Sequence, residues 1–198
     1  MKYPLHLLKL IDVLKKLPGV GTKSAERFAF DMISWPKSRV EEMGAVIQQC
    51  PLQLKLCREC GCLADAETCN FCLSAPSRLP AMCIVSTPRD VFAIESTHEF
   101  KGHYHVLGAL LSPMDGTGPE QINIQKLKNR IVHLKIEEIV IALDSTLEGD
   151  ATSLYLKQEL DPLRLNISRL AFGLPMGSSL EYVDGGTLAR ALSARGRF

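Results

Sequence analysis

Along residues 5–17, LHLLKLIDVLKKL, apolar side chains recur at Leu7, Leu10, Ile11, Leu14 and Leu17 with lysines between them, the spacing of an amphipathic helix. Pro18 and Gly19 stop it, and GVGTKSAERFAFDMI begins a second helix with Ala25, Phe28, Ala29 and Met32 on one face. A third helix is predicted over 38–53, opened by a Ser38/Glu41 capping box and ended by Pro51, its Val40, Met43, Val46 and Ile47 suited to a small helical cluster. After the linker SAPSRLP the period changes. AMCIVS, HYHVLGAL, EEIVIAL and NISRLAF read as strands, and PRDVFAIES, QINIQKLKNRIVHLK and EGDATSLYLKQEL between them read as helices. Such alternation predicts a mainly parallel sheet covered by helices. The end is turn-rich through Gly173, Pro175, Gly177 and Gly185–Gly186, and a short basic helix begins at Thr187.

With 198 residues and 46% hydrophobic content, the chain can bury one core plus a small appended module. It has no run of 18 apolar residues, so no membrane span is expected. Unpaired thiols and a charged N-terminal stretch without an apolar signal core point to a reducing cytoplasm. Net charge is only +1, but it is segregated: residues 1–40 carry eight Lys/Arg against three Asp/Glu, 187–198 carry three Arg and no acid, and 41–186 hold twelve basic against nineteen acidic residues. Segregation of this kind suggests a polyanion at one end and a basic partner elsewhere, or else ordinary solvated faces.

Between the helical and the alternating parts lies CRECGCLADAETCNFC, with two C-x-x-C pairs, Cys57/Cys60 and Cys69/Cys72. A two-residue spacer lets both sulfurs of a pair face one point, so the four thiolates can share a tetrahedral zinc ion of structural type. Cys62 could take the place of Cys60. A disulfide framework fits poorly with an odd total of seven cysteines, and a thioredoxin-like pair accounts for one C-x-x-C but not two. Cys50, Cys62 and Cys83 are expected to be inert.

The segment LPGVGTKSAERFA is a helix, a glycine turn and a second helix. Gly19 and Gly21 allow positive φ and close backbone approach, and the amides opening the second helix can hold a phosphate. Lys23 and Arg27, four apart, add charge on one face, so non-specific and salt-sensitive DNA backbone binding is expected. A nucleotide-binding P-loop is excluded by the missing G-x-x-x-x-G-K-[ST] pattern and the preceding helix. A purely structural turn is the plain alternative.

Chemistry in a parallel sheet gathers beyond the strand C-termini, here at Ser86, Asp90, Asp144, Thr146, Glu148 and Asp150. Clustered carboxylates can hold magnesium for phosphoryl transfer. They can equally complement a helix N-terminus. His103 and His105 share one strand face without a third ligand and read as surface residues.

Taken together, LPGVGTKSAERFAF, the four-cysteine site, IVSTPRDVFAIE, LDSTLEGDAT and GLPMGSSLEYVDGGTLARAL, in that order, resemble the RecR family of bacterial recombination mediators. The resemblance implies an α/β multidomain chain: a helix-hairpin-helix DNA-binding domain over 1–53, a zinc finger over 54–77 holding one ion, a Toprim-like domain over 78–174 and a Walker-B-like oligomerisation segment over 175–198. It also implies homodimers that pair into ring-shaped tetramers around DNA. The partners it implies are RecO, with RecF in many bacteria, and the task is loading RecA onto single-stranded gaps. Asp144, Glu148 and Asp150 are then expected to meet RecO. A magnesium-dependent Toprim nuclease or topoisomerase-like enzyme is the alternative. Against that alternative, Ser86 stands where a catalytic Toprim domain has glutamate, and Thr146 replaces the second aspartate of its D-x-D. Ser179 stands where the C-terminal segment of the family usually has an acidic residue, which weakens nucleotide binding as a role for that segment.

Overall fold

The computed structural model describes residues 3–171, 173–174 and 176–195, and only the backbone of Pro76. Phe172, Pro175 and Arg197, which belong to the expected last strand, the following turns and the basic end, lie outside the described residues. The chain divides into two compact units, Met1–Leu54 and Lys55–Phe198.

The first unit is helical. Helix α1 spans Leu5–Leu14 and α2 spans Thr22–Ile33. Leu7 and Ile11 of α1 pack against Ala25 and Ala29 of α2, with Tyr3, Leu10, Leu14 and Val20 around them. Small alanines on α2 let the two helices approach closely, while Leu17 and Phe28, expected inside, face solvent. Helix α3, Lys37–Gln53, departs from expectation at three points. It starts behind Pro36, whose fixed φ of −58° with ψ of 144° sets the turn, so Ser38 lies inside the helix and its side chain caps nothing. Pro51 falls within it, near its end. No residue of α3 is buried, so the expected apolar cluster does not form within the chain.

The second unit opens with a hairpin, β1 (Lys55–Leu56) and β2 (Leu63–Ala64), and a short helix α4 (Asn70–Leu73). A four-stranded sheet follows: β3 (Ala81–Val85), β4 (His103–Val106), β5 (Glu138–Ala142) and β6 (Asn166–Arg169), in the order β4-β3-β5-β6 and parallel throughout. The crossovers are α5 (Pro88–Glu95), α6 (Ile124–His133) and α7 (Leu147–Leu160). The period-3.6 segments supply these helices, and side-chain caps fix two starts: Asn123 accepts from the Lys126 amide at 3.0 Å, and Thr146 accepts from Gly149 at 3.1 Å. Helix α8 (Gly185–Ser193) begins two residues earlier than expected because Asp184 accepts from the Thr187 amide at 2.9 Å.

Two cores flank the sheet. Met82, Ile84, Ile139 and Ile141 face α6 and α7 through Leu127, Ile131 and Leu156. On the other face Cys83, Val85, Tyr104 and Val106 meet α5 and the cysteine module. The first of these layers corrects the reading of the histidines. His103 and His105 pair in register with Met82 and Ile84 and so share the face that α6 covers, where both are buried and His105 Nδ1 meets the Arg130 guanidinium of α6 at 3.0 Å. At the β4 edge the Val106 amide donates to the Cys60 carbonyl of the cysteine module at 2.7 Å. Burial, aided by the Arg130 charge, pushes His105 down to about 3 and lowers His103.

Candidate functional site

The hairpin β1–β2 carries the first cysteine pair in its loop. There the Cys57 amide donates to the Cys62 carbonyl at 2.7 Å, and the Gly61 amide donates to Cys57 at 2.9 Å. Gly61 has φ +78°, and a Cβ there would meet the Val106 carbonyl oxygen at 3.0 Å, so glycine is required where the knuckle touches the sheet. The second pair opens and closes the turn of α4, and the Arg58 amide bonded to the Glu67 carbonyl at 2.9 Å ties the two knuckles together.

The fold thereby brings the sulfurs of Cys57, Cys60, Cys69 and Cys72 within 4.8 Å of one another. Tetrahedral thiolates around zinc stand about 3.8 Å apart, from a Zn–S bond of about 2.3 Å, so the donor set and its spacing fit that ion. Cys62 is buried but outside the group, and its amide donates to the Cys60 sulfur at 3.4 Å. The Cys69 amide does the same for Cys57 at 3.4 Å. Burial raises Cys57, but amide bonds from Cys60, Cys69 and Glu59 outweigh it and leave the thiol near 7. Cys60 is pushed above the ordinary thiol range by its bond to Cys72 and by burial, and Cys69 chiefly by burial. Thiols this close resist shedding all their protons unless a cation balances them. Cys50, Cys62 and Cys83 are free thiols like the other four, and burial raises Cys83 to about 12.

In the hairpin, Gly19 has φ +78°, as the turn requires, whereas Gly21 is extended at φ −80° and ψ 173° and needs no glycine conformation. Nothing lies within 4 Å of where a Cβ on Gly21 would stand. No described side chain caps α2, so its first amides face outward. Lys23 and Arg27 are both exposed one turn apart on α2, the guanidinium lying 5.4 Å from the Phe28 ring centre.

The strand order places the switch point between β3 and β5; Ser86 follows β3 directly and Asp144 lies two residues beyond β5. Two of the four carboxylates there, Asp90 and Asp150, are committed. Asp90 accepts from Ser86 Oγ at 2.9 Å, the Thr87 amide at 2.8 Å and Thr87 Oγ1 at 2.9 Å, closing a capping box on α5. Thr146 caps α7. Asp150 lies between two arginines, Arg169 at 2.6 Å on one oxygen and Arg190 of α8 at 3.0 Å on the other, and the Arg169 bond holds its pKa below the usual carboxylate range. Asp144 is exposed and Glu148 half-buried.

Three arginines went unread in the sequence. Arg169 and Arg190 are joined to Asp150 only by the fold. Arg130 carried a signal, since it lies between Leu127 and Ile131 on the buried face of α6. Its guanidinium donates to the Tyr104 carbonyl at 2.9 Å, to His105 Nδ1 at 3.0 Å and to the Cys72 sulfur at 3.8 Å.

Comparison with known proteins assigns three stretches of the chain to family models. Residues 7–50 match the helix-hairpin-helix model of RecR, 81–171 match a Toprim domain and 173–195 match the C-terminal model of RecR. The recombination protein RecR of Protochlamydia amoebophila is 58% identical over 198 residues, covering 100% of both chains. That of Chlamydia trachomatis serovar D is 49% identical over 200 residues, again covering 100% of both. That of Chlamydia abortus is 48% identical over 197 residues, with 98% of each chain covered.

Proposed function

Because the chain belongs to the RecR family of recombination proteins, we propose that it is a non-catalytic, DNA-binding mediator of recombinational repair in the bacterial cytoplasm. In this reading it works with RecO, and with RecF, to promote RecA loading at single-stranded gaps, and it assembles as a homodimer or ring-shaped tetramer. The observation that carries the DNA role is the hairpin: Gly19 turns the chain at φ +78°, Gly21 leaves open space before uncapped amides, and Lys23 and Arg27 flank them. Bare amides and two cations suit phosphate and read no base.

One zinc ion per chain, held by Cys57, Cys60, Cys69 and Cys72, would serve as a cross-link between the two knuckles, with four protein ligands and no open position for substrate. Metal analysis should find about one atom per chain, and a Cys57→Ser/Cys69→Ser chain should fold poorly.

What favours a mediator over a magnesium nuclease is how the acidic edge is used. Ser86 and Asp90 bond each other, Thr146 is a helix cap, and Asp150 is neutralised by two arginines. Asp144, Glu148 and Asp150 are assigned to a basic surface of RecO, with Asp144 and Glu148 carrying most of the attraction.

The test is retention of labelled single- and double-stranded DNA at rising salt, with and without magnesium. Retention should weaken with salt and leave the DNA intact, and Lys23→Glu/Arg27→Glu should abolish it. A milder Lys23→Ala chain, which neutralises one phosphate fewer, should show a log–log salt slope flatter by about 0.7 on single strands and about 0.9 on duplex. Unchanged retention by the charge-reversed variant would overturn the hairpin assignment. Cleavage that needs magnesium and disappears in Asp144→Asn would overturn the mediator reading.

A further inference from the structure

Arg130 is only 7% exposed, and among the described residues no carboxylate pairs with it. Its partners are the Tyr104 carbonyl, His105 Nδ1 and the Cys72 sulfur, and its Nε has none. Because a guanidinium only donates, His105 must accept through Nδ1 and is therefore neutral. A buried cation without an anion is costly. The four clustered thiols present the opposite difficulty: as thiolates around a divalent cation they sum to a charge of −2, and burial keeps water from screening it. Among the described residues, Arg130 is the one cation that bonds directly to a sulfur of the group.

We infer that Arg130 is the outer-sphere partner of the metal centre, a positioning residue that donates to the Cys72 sulfur and supplies the charge a four-thiolate site lacks. The inference rests on the zinc assignment above. It also explains the route by which the cysteine module is fixed to the sheet. One attachment is the backbone bond from Val106 to Cys60. A second runs from Cys72 through the Arg130 fork to the backbone and ring of adjacent β4 residues, so the metal, α6 and β4 are ordered together. Outer-sphere partners of this kind fix a ligand's orientation and tune its donor strength.

The experiment compares full-length wild type, Arg130→Lys and Arg130→Met by competition for zinc against a chromophoric chelator. Arg130→Met should bind zinc about 10–100-fold more weakly. Arg130→Lys, which keeps the charge, should fall between it and wild type. Affinity equal to wild type in Arg130→Met overturns the inference, and so does an equal loss in both variants, which marks a packing role instead of a charge. Should Arg130→Met fail to fold, the cobalt(II)-substituted Arg130→Lys protein decides. Loss of the forked donor should move the sulfur-to-cobalt charge-transfer band to longer wavelength, and an unmoved band overturns the inference. A wild-type chain that takes up neither zinc nor cobalt would instead overturn the metal assignment itself, a result separate from tight binding that ignores residue 130.

Discussion

Two glycines with opposite surroundings separate what the fold needs from what a ligand needs. Gly149, in the first turn of α7, is buried, and a Cβ on it would collide with the Asp144 backbone carbonyl and come within 3.4 Å of Thr146 Oγ1, the atom that caps the helix. Both neighbours are held in place, so the backbone between β5 and α7 would have to move. Gly149→Ala should therefore destabilise the full chain by about 1–3 kcal/mol in urea unfolding, although alanine alone would favour the helix by up to about 1 kcal/mol. A stability equal to wild type would show that this turn is looser than its geometry indicates. Gly21 has φ −80° and nothing within 4 Å of a Cβ position. Gly21→Ala should change stability by less than about 1 kcal/mol and yet weaken DNA retention, because the methyl occupies the space through which a phosphate reaches the amides of α2.

At the scale of elements, one of the bonds that fasten α8 passes through a single carboxylate, while its arginine, Arg190, also donates to Ser145 Oγ. Asp150 of α7 receives Arg190 of α8 at 3.0 Å and Arg169 of β6 at 2.6 Å. The Arg169 bond lowers the carboxyl's folded pKa, so its stabilising contribution is complete above the unfolded value of about 3.9 and is lost as pH falls through the lower folded value. Hydrogen exchange in 185–193 should accordingly rise as the solution is acidified below that value, and Asp150→Asn should show the raised exchange already at pH 7. Exchange that stays equal in wild type and variant would mean that other contacts hold α8. No such clamp was legible in the sequence, since residues 19 and 40 positions from Asp150 meet it only after the sheet has formed. What could be read was local: the change of period near residue 80 and the spacing of the four cysteines. The errors have the same origin. His103 and His105 read as exposed because alternation along one strand cannot reveal which helix lies over that face of β4, here α6 with Arg130, and Ser38 read as a cap because Pro36 sets the turn two residues earlier.

For the whole molecule, the outstanding question is what stabilises α3. It is a 17-residue helix with no buried side chain, and Val46 and Ile47 are 60% and 61% exposed. Helices owe most of their stability in proteins to packing of an apolar face, and intrinsic propensity alone leaves one of this length marginal in water. Assembly of the kind proposed above would supply a covering surface, and helix content should then rise with protein concentration. Val46→Glu/Ile47→Glu should remove that dependence and shift sedimentation to a smaller species, because two carboxylates cannot be buried unpaired at an apolar contact. A second apolar surface is available at Leu170, Leu174, Met176, Leu180 and Tyr182. If the double variant sediments as wild type does, self-association rests on that surface, and α3 must be stabilised by DNA or by another protein. If it falls to the monomer, α3 is the principal contact, and because α3 shares its compact unit with the hairpin of Lys23 and Arg27, DNA retention should fall as assembly is lost even though no phosphate-binding residue has changed.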